Sequence, residues 1–508
     1  MPELELKILV AADDIGKAQS ALSAMAGRPR GARSSLTSTY YDTPEQTLRH
    51  NDLELRVRRQ GRRFIQTVKE NAVAGDDVLT RGEWEDRIRG EVPDLAAPES
   101  GSHLVPALAA DALRPLFTTV VQRTHFDLSP KPGSRIEVAI DRGEIRAADG
   151  AITEPIHEIE LELKDGDPVV VWDVALRLLE IVPLRIGTVS KAERGYRLAG
   201  GGAEAPRIVH AQPMRLARKM TLDAALQQMG RRYLAMILRN EAAALAGDAG
   251  GIHQMRVAVR RLRAALSAVK PVLPEEHFHW ANGELKWLGA GLGPARNWDV
   301  FAASLLEPVA AALEGERDLE RLAHGVERQR RVAYARARET IEAQRYTASM
   351  LRLGRWFEAR GWRDQPVTEK SARLVAPVGK VAPDLLARLH RKACRRAKNF
   401  AVLAPPERHK LRIALKKLRY TVDFFESLFD PPRVKRFVKA VKPLQDDLGQ
   451  ANDVRTAPAL LADLRNGDVG GLERAGGIVL GWHVRGLAEA ETASRCHVRR
   501  FRRARQFW

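Results

Sequence analysis

Cysteine is nearly missing from this chain: there are two in 508 residues, Cys394 and Cys496. Two thiols cannot build a disulfide framework, so a reducing compartment is the simpler expectation. No uncharged apolar run reaches the roughly 18–20 residues that a spanning helix needs, so no membrane association is expected. The opening Met1-Pro2-Glu3-Leu4-Glu5-Leu6-Lys7 lacks the basic-then-apolar order of a secretory leader, and a cytoplasmic location follows as the expectation. Glycine-rich phosphate loops are absent as well. No Gly-x-x-x-x-Gly-Lys-Ser/Thr and no Gly-x-Gly-x-x-Gly follows a strand, which argues against a P-loop or Rossmann nucleotide site. Aromatic residues are sparse, at 6%.

Basic residues, by contrast, are in excess, 83 Lys and Arg against 64 Asp and Glu. Residues 1–205 hold 27 basic and 33 acidic side chains, a net charge of −6 that leaves +25 for 206–508. The second part therefore calls for a polyanion or an anionic surface. The sign changes at 199–213, AGGGAEAPRIVHAQP, where three consecutive glycines and two prolines prevent a regular element. The expected organisation is a domain over 1–200, a linker over 201–214 and a helical domain over 215–505, with repeats at about 215–370 and 371–505.

Period-two alternation marks strands in the first part. Leu4, Leu6 and Ile8 alternate with Glu3, Glu5 and Lys7; Leu53, Leu55 and Val57 with Glu54, Arg56 and Arg58. Ile136, Val138 and Ile140 alternate with Arg135, Glu137 and Asp141; Ile159, Leu161 and Leu163 with Glu158, Glu160, Glu162 and Lys164. Further strands are expected at 62–69 and 81–89, and helices around 14–26 and 168–181. A single strand of this kind reads as a solvated face. Several, with their charge signs grouped, read differently: like-signed side chains crowd a face at a cost unless opposite charge lies between them. A barrel whose lumen holds phosphates and divalent cations resolves the conflict. Carboxylates suit Mg²⁺ or Mn²⁺, and Arg offers bidentate contacts to phosphate.

These residues resemble the CYTH domains, the triphosphate tunnel metalloenzymes. Glu3-x-Glu5-x-Lys7 is similar to their ExExK signature. Arg56 and Arg58, Lys69, Glu83-Trp84-Glu85-Asp86-Arg87, Arg123, Glu160-x-Glu162 and Ser190-Lys191 followed by Arg194-Gly195-Tyr196 come in the same order. The resemblance implies an eight-stranded antiparallel β tunnel, a barrel with flanking helices, acting on a linear triphosphate with Mg²⁺ or Mn²⁺. It implies phosphate binding by Arg56, Arg58, Lys69, Arg87, Arg123 and Arg135, with Lys7 near one end of the tunnel. Glu3, Glu5, Glu160 and Glu162 would hold metal, with Glu137 and Asp141 as further ligands for metal or water. Lys191 would bind phosphate or orient water, so Glu3, Glu5, Lys7 and Lys191 form the expected catalytic set. Inorganic triphosphate is the first substrate expected. A thiamine triphosphatase, a CYTH-type adenylyl cyclase and a non-enzymatic scaffold remain alternatives.

In the second part Ala, Leu and Arg recur at helical spacing, and a repeat is visible. His253-x-x-Arg256-x-x-x-Arg260-x-x-Arg263 aligns with His409-x-x-Arg412-x-x-x-Lys416-x-x-Arg419 at an offset of 156. Leu292-Gly293 and Asp299-Val300 align with Leu448-Gly449 and Asp453-Val454, the second pair at an offset of 154, so a two-residue indel lies between. On a helix each set makes a narrow basic stripe opposite an apolar one. One such stripe is a solvated face; a duplicated pair can line one basic groove across a pseudo-twofold axis. Residues 388–419 add 12 Lys or Arg against the single acid Glu407, with Phe400 their only aromatic. Base stacking needs aromatics, so a bare phosphate chain is favoured over nucleic acid, although binding to a duplex backbone passes this test. This part resembles the CHAD domain, a histidine-bearing α-helical domain often fused behind CYTH. That resemblance implies inorganic polyphosphate as partner, bound by His253, Arg256, Arg260, Arg263, His409, Arg412, Lys416 and Arg419, and polyphosphate granules as a location. The fold class expected is α+β followed by an all-α, duplicated helical bundle.

Overall fold

In the computed structural model the described residues are 4–27, 31–70, 82–104, 112–148, 150, 152–200, 205–464 and 472–508. They form two compact units. The first comprises residues 1–210 with 234–239 and 343–361; the second comprises 211–233, 240–342 and 362–508.

The first unit is built on nine strands: β1 (Leu4–Val10), β2 (Ala32–Asp42), β3 (Leu53–Gln60), β4 (Arg63–Glu70), β5 (Glu83–Ile88), β6 (Arg114–Leu128), β7 (Arg135–Ala147), β8 (Thr153–Asp165) and β9 (Leu184–Ile186). They make one antiparallel sheet in the order β5-β4-β3-β2-β6-β7-β8-β1-β9. Eight strands and a closed barrel were expected. The ninth is the three-residue β9, which pairs with β1, and no ladder joins the edge strands β5 and β9 among the described residues.

The sheet nonetheless curls. Six positions separate β4 from β1 in the strand order; laid flat, at about 4.8 Å per strand, they would lie about 29 Å apart. Yet Lys69 on β4 and Glu5 on β1 act on each other electrostatically. Only a strongly bent sheet brings their faces together, and the concave face is a trough.

Alternation decides what lines it. Leu6, Ile8, Val138, Ile140, Ile159 and Leu161 are buried on the convex face. That face packs on α3 (Val169–Leu179), which contributes Val170, Val174 and Leu178. The alternate residues are charged and face the concavity. Helices α1 (Ile15–Met25) and α2 (Thr47–His50) flank the sheet. Helix α4 (Lys191–Ala199) lies on an apolar patch of the concave face, where Ala192, Tyr196 and Leu198 are buried with Tyr40, Phe117, Val121, Ile145 and Ile156. Ser190 Oγ caps the helix by accepting from the Glu193 amide at 3.0 Å.

The remaining helices are α5 (Leu222–Arg239), α6 (Glu241–Leu245), α7 (Ala249–Val269), α8 (Glu275–Gly291), α9 (Gly293–Val300), α10 (Glu307–Ala312), α11 (Arg317–Glu342), α12 (Gln344–Glu358), α13 (Glu369–Ala372), α14 (Val378–Arg396), α15 (Pro405–Phe425), α16 (Pro431–Leu464) and α17 (Leu472–Arg502). The repeat pairs α7 with α15, and these two helices pack together. It also pairs the α8–α9 segment with the first part of α16. No described helix is long and apolar enough to cross a membrane.

Candidate functional site

Register builds the acidic side of the trough. Arg123 on β6 stands opposite Asp141 on β7, which stands opposite Glu158 on β8. Glu160 on β8 stands opposite Lys7 on β1. Arg123 forks onto Asp141, donating from Nε at 2.7 Å and Nη2 at 2.6 Å, and Nη2 also reaches Glu160 at 2.6 Å. The Lys191 ammonium enters from the first turn of α4 and meets Asp141 at 2.8 Å, Glu160 at 2.9 Å and Glu158 in close contact. Lys7 lies 3.5 Å from Glu158 and 3.6 Å from Glu160.

Burial opposes ionisation of Asp141, but Lys191 and Arg123 hold its carboxyl below the usual range. Glu160 is held well below, its burial outweighed by Lys191, Arg123 and Lys7. Lys191 is correspondingly raised, its burial outweighed by Glu158, Glu160 and Asp141. Glu5 runs the other way: burial, then the charge on Glu160, push its carboxyl up.

One oxygen each of Asp141, Glu158 and Glu160 comes within 4.8 Å of the others. This group could hold a metal ion. Its all-carboxylate chemistry fits a hard divalent cation.

The basic side lies on β3 and β4. Arg56 is 3.2 Å from Glu83, and Lys69 is 2.6 Å from the same carboxylate. Burial, then Arg56, depress the Lys69 ammonium. Arg58 is pushed down to about 10 by Arg56 first, then by burial and by Arg123. The buried Arg58 Nε has no hydrogen-bond partner among the described residues, and no carboxylate pairs with that guanidinium among them. The aromatic rings of the trough are occupied with one another. Tyr40 stacks on Phe117 at 4.5 Å, and Phe117 meets Tyr196 edge-on at 5.3 Å.

Of the residues singled out from sequence, Glu5, Lys7, Asp141, Glu160, Lys191 and Arg123 thus gather on one side, with Arg56, Arg58 and Lys69 on the other. Glu3 lies outside the described residues. Arg87 is exposed on β5, two residues beyond Glu85. Glu162 and Glu137 instead meet Lys164, the latter at 3.9 Å. Arg135, at the start of β7, pairs with Asp165 at 3.1 Å and Asp127 at 3.8 Å, away from the cluster. Glu158 is the acidic residue that sequence reasoning passed over. It belongs to the same alternating run as Glu160 and Glu162, and only register tells which two of the three share a row with Asp141 and Lys7.

In the second unit α7 and α15 bring four cations together. The charges of Arg260 and Arg412 act on each other and on Lys416, and Arg256 also acts on Lys416. Arg256 is pushed down to about 10 by burial, then by Arg260 and Arg296, and its Nη1 donates to the Gly289 carbonyl at 3.0 Å. Arg263 donates instead to Asn282 Oδ1 at 3.0 Å, and Arg419 pairs with Asp423. His409 Nδ1 lies 2.8 Å from Asn452 Oδ1; His253 is half-buried on α7.

Residues 1–196 match the family model of the CYTH domain, and residues 228–462 match that of the CHAD domain. An inorganic triphosphatase of Haemophilus influenzae is 33% identical over 163 residues, 32% of this chain and 46% of that protein, so the match spans less than half of the relative's length. An uncharacterized protein of Mycobacterium tuberculosis is 26% identical over 448 residues, covering 82% of this chain and 81% of the other. The crystal structure of the CHAD domain from the plant Ricinus communis is similar with a TM-score of 0.51 and 28% identity, over 59% of this chain and 99% of that one.

Proposed function

The chain joins a CYTH domain, residues 1–196, to a CHAD domain, residues 228–462, and from that premise we propose that it hydrolyses inorganic triphosphate to pyrophosphate and phosphate with Mg²⁺ or Mn²⁺, in the cytoplasm, while its helical part binds inorganic polyphosphate. The observation that carries the first half is Arg58. A guanidinium buried beside Arg56 and near Arg123, with only the charge of Glu85 opposing theirs and with no carboxylate paired to it among the described residues, gains its missing ion pair from a bound triphosphate.

Arg56, Arg58 and Lys69 bind the phosphates from one side of the trough. Because phosphoryl transfer leaves little covalent work to the protein, fixing the chain and balancing its charge provide most of the catalysis. Asp141, Glu158, Glu160 and Glu5 would hold the divalent cation. When bound, it neutralises phosphate oxygens and acidifies water. Lys191, touching all three clustered carboxylates, fixes their positions, and Arg123 ties Asp141 to Glu160. Inorganic triphosphate is preferred to a nucleotide or thiamine ester because Tyr40, Phe117 and Tyr196 pack on one another and are buried, so they offer little exposed ring surface to an organic group.

The test is one incubation series of the full chain with inorganic triphosphate, thiamine triphosphate and ATP, with Mg²⁺, Mn²⁺ or EDTA. Orthophosphate should appear from inorganic triphosphate in preference to the others and stop with EDTA. Glu158→Gln should lower kcat by about 100-fold, and Arg58→Ala should act mainly on KM. Cyclic AMP from ATP, faster release from thiamine triphosphate, or no turnover with either metal would overturn the assignment.

For the helical part the carrying feature is the four-cation cluster of Arg256, Arg260, Arg412 and Lys416, drawn from both copies of the repeat. Its charge suits a phosphate chain, and the aromatic ring beside it, Tyr420, is buried and already covered by Arg260 at 5.4 Å, which favours such a chain over nucleic acid.

A further inference from the structure

Lys416 and Lys417 are adjacent in sequence, but they face two different groups of charges. Lys416 is surrounded by Arg412, Arg260 and Arg256, with Asp453 opposing. Lys417 is depressed by burial, then by Lys392, Arg263 and Arg396. The two groups share no member, so α15 divides the basic surface of the second unit.

On the Lys417 side a cavity of about 800 Å³ opens between the end of α7 and the face of α14. Arg388, Arg391, Lys392 and Arg395 project into it at i, i+3, i+4 and i+7, one face of a helix over about 10 Å. Lys270 and Lys417 complete the lining; Glu275 is its single acid, and no aromatic residue takes part. Among the described residues no carboxylate pairs with Arg391, Lys392, Arg395 or Lys417, while Arg388 is lowered by burial and by Arg373. Cations in a row without counter-ions repel one another, and a linear anion laid along them removes the repulsion.

We propose that this cavity is a second binding site for a linear phosphate chain, separate from the Arg256–Arg412 cluster. It rests on the charges lining the cavity and not on the assignment of the first cluster or of the trough. The absence of aromatics leaves nothing to stack on bases, so a bare chain fits better than nucleic acid.

Lysine footprinting of the full chain tests it. The chain is labelled with an amine-reactive reagent in EDTA, with and without inorganic polyphosphate, and each lysine is read by mass spectrometry. Lys392 and Lys417 should be protected several-fold. That protection should survive Arg256→Glu with Arg412→Glu and vanish in Arg391→Glu with Arg395→Glu, where Lys416 should stay protected. Arg391 and Arg395 are exposed, so reversing them should leave the fold intact, as circular dichroism of the variant can verify. Unchanged labelling of Lys392 and Lys417 overturns the site, and so does joint loss of protection at Lys416 and Lys417 in either variant, which would mean one continuous groove. Equal protection by a DNA duplex overturns the choice of ligand.

Discussion

At the scale of single residues, Lys416 shows what crowding cations does. Its ammonium is pushed down to about 7 by burial first, then by Arg412, Arg260 and Arg256, with Asp453 opposing. An unfolded lysine keeps its proton to about 10.4. Between these values the unfolded chain holds a proton that the folded one has released, so this site adds stability as pH rises through the window and removes it as pH falls toward 7. A polyanion reverses the local field and favours the charged amine. Polyphosphate should therefore bind the full chain more tightly at about pH 6 than at about pH 8, with proton uptake near neutrality visible as buffer-dependent heat in calorimetry. Lys416→Arg, which stays charged, should flatten both. An affinity independent of pH in the native chain would mean that the amine titrates in the ordinary lysine range.

At the scale of elements, the strands with one apolar and one charged face could be read directly from sequence, because each has a uniform apolar convex side, against α3 for β1 and β8 and in the cluster of Leu48, Leu55, Val68 and Leu113 for β3, and a uniform concave side. β6 could not. Its concave residues run from Phe117 and Val121 beneath α4 to Arg123 in the charged cluster, so neither side alternates cleanly. β2, rich in Ser and Thr, gives no apolar rhythm. α4 itself is hidden by Gly195 at its centre, and the packing explains that glycine: a Cβ there would stand 2.1 Å from the Phe117 ring. Gly195→Ala should lower stability by about 1–3 kcal/mol. It should also cut turnover, because Lys191 lies one turn away on the same helix and would leave its three carboxylates. Thermal melts beside triphosphatase kinetics separate the two effects, and unchanged activity would show that α4 does not set Lys191. The helical repeat diverges for a comparably local reason. Where the first copy carries two extra residues, the chain breaks at Leu292 and passes through a π-helical segment at Phe301–Leu306; the second copy is the unbroken α16. Asp299 is consequently occupied by Arg330 at 3.1 Å and Tyr334 at 3.0 Å, whereas its counterpart Asp453 acts on Arg412 and Lys416. An alignment by residue type cannot show that inequality.

At the scale of the whole molecule, the charge boundary near residue 205 does not coincide with the boundary of the first compact unit, which also includes residues 234–239. That unit also takes in residues 343–361, a segment far along the sequence. There α12 covers α3: a Cβ on Gly354 would stand 2.3 Å from the Trp172 ring, and Arg355 pairs with Asp173. Trp172 keeps only 7% of its surface exposed. A fragment cut at residue 210 retains every charged residue of the trough but loses this cover. Exposing an indole and its apolar neighbours costs about 2–3 kcal/mol. Such a fragment should therefore turn over triphosphate at low temperature, melt several degrees below the corresponding transition of the full chain, bind a hydrophobic dye, and show red-shifted tryptophan emission. Identical melting without dye binding would mean that α12 contributes nothing to the unit in which it lies, and that the boundary read from composition is the physical one.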